Sequence, residues 1–135
     1  MAISAADVKR LREMTGVGMM DCKAALTEAD GDFDRAVEIL RKKGQKVAAK
    51  RADREAKEGI VGAATSDDRR TGVLVEVNAE TDFVARNAEF TGFAQEVAEV
   101  ALRERPADAA ALKALPLSNG RTVEETLSDL TGKIG

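Results

Sequence analysis

The sequence contains no histidine, no tryptophan and no tyrosine, and its one cysteine is Cys22. A single thiol cannot form an intrachain disulfide, which fits a reducing compartment and predicts a cytoplasmic protein. Without histidine there can be no Ser-His-Asp or Cys-His unit, no His-rich zinc site and no histidine haem ligand. No apolar run approaches the roughly 20 residues of a membrane span. The charges of the opening MAISAADVKRLREM come too early for a signal-peptide core. These absences predict a protein that is not an enzyme, takes no cofactor or metal, and has no membrane segment. What remains is 135 residues, 44% apolar and 33% charged, with a net charge of -3. A chain of that size buries roughly two-thirds of its unfolded surface, so an ordinary core is within reach and global disorder is not expected.

Charge is unevenly spread. Residues 41–57 hold eight basic and two acidic side chains, while both flanking regions are net acidic. That basic stretch, RKKGQKVAAKRADREAK, reads as a connector between two units. The first unit, residues 1–44, reads as a three-helix bundle. Ser4 is a natural N-cap with Asp7 three residues on, and Val8, Leu11 and Met14 form an apolar stripe. Thr15-Gly16-Val17-Gly18 breaks the helix, because two glycines in three residues permit a tight turn. A second helix runs from about Met19 to Ala29, with Cys22, Ala25, Leu26 and Ala29 on one face. Asp32 caps a third, where Phe33, Ala36, Val37 and Leu40 have core-facing spacing, and Gly44 reads as its terminator. Residues 45–57 then form a basic helical connector.

The second unit, residues 58–135, begins with short β-branched runs, Gly59–Ala64 and Gly72–Asn78, around the turn-forming Ser66–Arg70. This is a β-hairpin signal. From Thr81 the pattern turns helical through Phe83, Phe90, Phe93, Val97, Val100 and Ala101, until Arg105-Pro106 stops it. A short helix near Asp108–Leu115 follows, and another is capped by Thr122 with Glu125 three residues on. The expected class is α+β and mostly helical, with a small antiparallel sheet packed against helices.

Two segments are specific enough to suggest a family. Leu11-Arg12-Glu13-Met14-Thr15-Gly16-Val17-Gly18-Met19-Met20-Asp21-Cys22-Lys23-Ala24-Ala25-Leu26 is followed, about fifty residues later, by Val75-Glu76-Val77-Asn78-Ala79-Glu80-Thr81-Asp82-Phe83-Val84-Ala85-Arg86-Asn87. In this order, with a basic connector between them, they resemble bacterial elongation factor Ts along the whole chain. That family exchanges guanine nucleotide on the translational GTPase elongation factor Tu. The resemblance implies a ubiquitin-associated-like first module, with Met19 and Met20 at partner-contact positions. It further implies that Thr81, Asp82, Phe83 and Val84 reach the partner's Mg2+ and phosphate region and help dislodge the metal. No direct nucleic-acid contact is expected, and for a full-length protein it implies a homodimer or a heterotetramer with the partner. Family members continue into further strands where this sequence stops at Gly135, so a truncated core domain is expected.

The same residues also have plainer readings. Phe83 could be one more core phenylalanine, and Asp82 a cap or first-turn acid. Met19 and Met20 are adjacent on a helix, so both cannot face one core, and exposed methionine suits adaptable contacts. Cys22, on an apolar face with no activating histidine, is expected to be a buried, inert thiol. Two other functions stay open: a helical adaptor for a peptide or ubiquitin-like partner, and an RNA-binding module using residues 41–57.

Overall fold

The start of most helices is set by a side chain accepting from its own first turn, as the sequence reading expects. The computed structural model describes residues 2–134. Helix α1 (Ala5–Thr15) opens on a reciprocal capping box, in which Asp7 N donates to Ser4 Oγ at 3.1 Å and Ser4 N donates to the Asp7 carboxylate at 3.4 Å. It ends at Gly16, whose left-handed backbone (φ 69°) lets its N–H bond Arg12 O. Helix α2 (Met19–Glu28) follows, and α3 (Phe33–Arg51) is capped by Asp32, which accepts from Arg35 N at 3.2 Å. Val8, Leu11, Cys22, Ala25, Leu26, Ala29, Ala36 and Leu40 close the first core. The Cys22 thiol lies inside it and donates to Val17 O at 3.5 Å.

Helix α3 does not stop at Gly44; it continues unbroken to Arg51, beyond which residues 52–57 are not helical. A glycine far from a helix end usually has a packing reason. Here the reason is helix α7 (Val123–Ile134), which crosses α3 at this level. A Cβ placed on Gly132 would stand 2.3 Å from Gly44 Cα and 2.5 Å from Gly44 O, so the two backbones touch. The glycine expected to end a helix instead lets another helix rest on it.

Strands β1 (Glu58–Thr65) and β2 (Gly72–Ala79) pair antiparallel, with Ile60 opposite Val77, Gly62 opposite Val75 and Ala64 opposite Val73. The turn between them is held by Thr71 N donating to Ser66 Oγ and by Arg70 N donating to Asp68. The Ser66 hydroxyl also donates to Asp68 and holds its carboxyl below the usual value. One face of the hairpin lies against α5 (Ala88–Glu104), so closely that a Cβ on Gly62 would meet Ala94 O at 2.6 Å.

The helix expected to run from Thr81 is in fact two, α4 (Asp82–Arg86) and α5, separated at Asn87. Asn87 leaves helical geometry (ψ 132°) and its side-chain oxygen accepts from Glu89 N at 2.9 Å and Phe90 N at 3.2 Å. A short amide side chain competes with the helix for those donors, and so resets the axis. Helix α6 (Ala109–Lys113) is capped by Asp108, while Thr122 and Glu125 form a second capping box at the start of α7. Between α6 and α7, Ser118 donates through its N–H and hydroxyl to Glu96 at 2.9 and 2.6 Å. Those two bonds hold the Glu96 carboxyl below its ordinary value.

A second core forms around Val77, Ala79, Ala85, Phe90, Phe93, Val97, Val100, Leu117, Val123 and Leu130. The architecture is therefore α+β, a two-stranded antiparallel sheet packed with helices and joined to a three-helix module along the α3–α7 crossing. Lys133 ties α7 to α5, with Nζ 2.7 Å from Glu89 Oε1, and its side chain lies beside Gly16 of the first module.

A candidate partner-binding surface

Strand β2 ends with Ala79 buried, and the chain must then leave the sheet. Thr81 makes the turn. Its backbone stays extended while Oγ1 accepts from Val84 N and its carbonyl accepts from Ala85 N, both at 3.3 Å. Thr81, and not Asp82, is thus the cap of α4, with Asp82 the first-turn acid behind it. In a five-residue helix one side faces inward, here Ala85 buried and Val84 half-buried against the second core. That orientation sends Asp82, Phe83 and Arg86 outward.

Phe83 is 83% exposed. Burying such a ring is worth about 1.5–3 kcal/mol, and this fold leaves the gain unrealised. Of the two sequence readings, burial of Phe83 in its own core is excluded. Phe90 and Phe93, on α5, are the phenylalanines that fill the core. Beside Phe83, the Asp82 carboxylate lies 3.7 Å from Arg86 Nη2, and both side chains are open to water. Such a pair holds little energy and can be exchanged for another partner.

Met19 and Met20 open α2 on a different element. Gly18 precedes them without a side-chain cap, and Cys22, Ala25 and Leu26 occupy the inward face. Both methionines project, Met20 at 78% and Met19 at 43% exposure, and Met14 at the end of α1 is exposed nearby in sequence. Thr81–Val84 are thus contiguous at the cap and first turn of α4, while Met19 and Met20 stand apart on α2.

One pairing in this region carried no signal in the sequence. Glu80, between the buried end of β2 and the Thr81 cap, accepts from Arg51 Nη1 at 2.8 Å and lies 3.4 Å from Arg54 Nη1. A charge pair 29 residues apart cannot be matched from one sequence. The remaining cations of the basic stretch divide in two. Arg41, Lys43 and Lys57 pair with Glu38, Asp21 and Glu55, whereas Lys42, Lys46 and Lys50 form an exposed stripe along α3. Among the described residues, no three Cys, Asp or Glu stand close enough to hold a metal ion, and no helix is long and apolar enough to cross a membrane.

Comparison with known proteins converges on one name. The family model described as Elongation factor TS matches residues 80–135, from Glu80 through the second core. The chain is 57% identical to elongation factor Ts of Chloroherpeton thalassium, over 98% of this chain and 47% of that protein. It is 57% identical to that of Chlorobaculum tepidum with the same coverage, and 54% identical to that of Nocardia farcinica over 98% of this chain and 46% of the relative. The chain spans about half the length of the curated relatives it matches.

Proposed function

Taking as premise that this chain resembles elongation factor Ts along almost its entire length, we propose that it acts in translation elongation as a nucleotide-exchange factor. Its partner in this reading is the GTPase elongation factor Tu. The observation that carries the reading is the exposed Phe83 beside the Asp82 carboxylate, on a short helix whose other side is anchored in the core. A large apolar ring left in water at the tip of an element is the kind of group that becomes an interface anchor.

The chemistry asked of the chain is modest. Bound GDP is held by a phosphate-binding loop, its lysine and a Mg2+ that offsets the phosphate charge. A wedge that shifts the elements around that ion weakens the hold, and a carboxylate brought near opposes the phosphates electrostatically. Binding free energies are reciprocal, so a partner that lowers nucleotide affinity is itself expelled when nucleotide returns. Exchange follows through a nucleotide-free intermediate without any bond being made or broken by this chain. Thr81 supports the wedge by fixing the start of α4, and Val84 by anchoring it. Met19 and Met20 supply a second, adaptable contact from α2.

Release of fluorescent GDP from elongation factor Tu tests the reading. The chain should accelerate release catalytically, and Phe83→Ala should weaken its action by about 2–4 kcal/mol of interaction free energy, as a hot spot does. Unchanged release with both Phe83→Ala and Asp82→Asn would sink it.

A further inference from the structure

Two-point binding requires that both points be held in fixed relation before the partner arrives, and an unassigned group of charges bears on this. Glu80 lies one residue before the Thr81 cap and is largely shielded, its side chain 22% exposed. Arg51, in the last turn of α3, approaches it at 2.8 Å, and Arg54, just beyond that helix, at 3.4 Å. Beneath them lies an apolar cleft of about 300 Å³ bordered by Ala48, Val84, Phe90, Leu130 and Ile134. A low-dielectric floor strengthens charge-assisted bonds on its rim. Val84, the inward residue of α4, lines the same cleft, which places Glu80 and the turn that projects Phe83 around one hollow.

We propose that Glu80 is a positioning residue whose clamp with Arg51 and Arg54 fixes the Asp82–Phe83 wedge relative to α3, the helix that carries the first module. The inference rests on the exchange reading. It adds what that reading lacks, a device that prepays the alignment of two contact surfaces on separate elements. Helix α3 runs seven residues past Gly44, and that extension brings Arg51 to the end of β2.

The consequence is specific. Without the clamp the wedge remains intact but occupies its contact geometry only part of the time. Apparent affinity falls by that fraction, whereas the rate at saturation does not. If the competent fraction drops to a tenth, the half-saturating concentration rises about tenfold at an unchanged plateau.

The experiment titrates fluorescent-GDP release from elongation factor Tu with the parent, Glu80→Ala, Glu80→Gln, Phe83→Ala, and the swapped pair Glu80→Arg with Arg51→Glu, made together with Arg54→Ala so that no like charge faces the new arginine. Backbone 15N relaxation at Asp82 and Phe83 is recorded on each free chain. The expected result is a raised half-saturation and lower order parameters for Glu80→Ala and Glu80→Gln, both restored toward the parent by the swapped pair. Should Glu80→Ala fail to fold, the isosteric Glu80→Gln carries the same test. Parent-like order parameters in Glu80→Gln, or a swapped pair no better than the single variants, would overturn the clamp. Loosened amides with unaltered half-saturation, while Phe83→Ala is impaired, would overturn its positioning role. If Phe83→Ala itself releases nucleotide normally, the exchange reading fails, and the clamp is judged on the amides and the swap alone.

Discussion

The crossing of α3 and α7 makes an asymmetric prediction about two glycines that face each other. A Cβ on Gly132 would overlap Gly44 at 2.3 Å from Cα, 2.5 Å from the carbonyl oxygen and 2.7 Å from the carbonyl carbon. All three are backbone atoms of an inner helix turn and cannot rotate away. A Cβ on Gly44 points elsewhere and meets Gly132 Cα at 3.7 Å, an ordinary van der Waals contact. Both residues sit in helices, so replacing either by alanine gains helix propensity of about 0.5–1 kcal/mol. For Gly44→Ala nothing opposes that gain, and the variant should be as stable as the parent or more so by up to about 1 kcal/mol. For Gly132→Ala the helices must separate, an overpacking cost of about 1–3 kcal/mol or more. The net result is a loss near 1–2 kcal/mol, which lowers the melting temperature of a chain this size by several degrees. Urea unfolding followed by circular dichroism measures both variants on one scale. If Gly132→Ala equals the parent, or if Gly44→Ala is the more damaged of the two, the contact between the two backbones is not what holds this seam.

Other expectations concern single residues. Phe83→Ala should change unfolding free energy by less than about 0.5 kcal/mol, because the ring makes no core contact to lose; a larger drop in urea unfolding would return Phe83 to the core. Asn87→Ala removes the side-chain acceptor for Glu89 N and Phe90 N and should cost about 0.5–2 kcal/mol of stability, read from the same unfolding curves. Glu96 is held below its ordinary pKa by Ser118, so its contribution is present above the unfolded-state value and is lost as pH falls through the folded one. Glu96→Gln should therefore narrow the stability gap to the parent as pH drops below about 4.5; a gap independent of pH between 7 and 3 contradicts the assignment. Neutralising Lys42, Lys46 and Lys50 together should leave nucleotide release intact at physiological salt, since these exposed lysines touch neither wedge nor clamp. Loss of RNA binding in that variant would instead revive the nucleic-acid reading.

Much of this molecule was legible in one dimension, and the reasons are local. Ser4, Asp32 and Thr122 announce helix starts because a cap acts within three residues, and the apolar stripes of α2 and α5, and of α1 as far as Leu11, follow from 3.6-residue periodicity, whereas Met14, read into the first stripe, is exposed. The hairpin is legible because its turn chemistry and β-branched runs are adjacent. Gly44 misled because a glycine's sequence signature is the same whether it ends a helix or admits another one. Only the approach of Gly132, 88 positions later, decides between them. The break at Asn87 was missed because Phe83 and Phe90 sit at helical spacing although they belong to different helices. One faces solvent and the other the core. Glu80 and Arg51 could not be paired beforehand, since Coulomb attraction acts through space and the chain carries many alternative partners for each. What the sequence alone determined, then, is which segments coil, which extend and where each begins, because those choices are made by neighbours. Tertiary structure decided which aromatic is left in water, which glycine is touched and which charges meet, because each depends on segments that become neighbours only after folding.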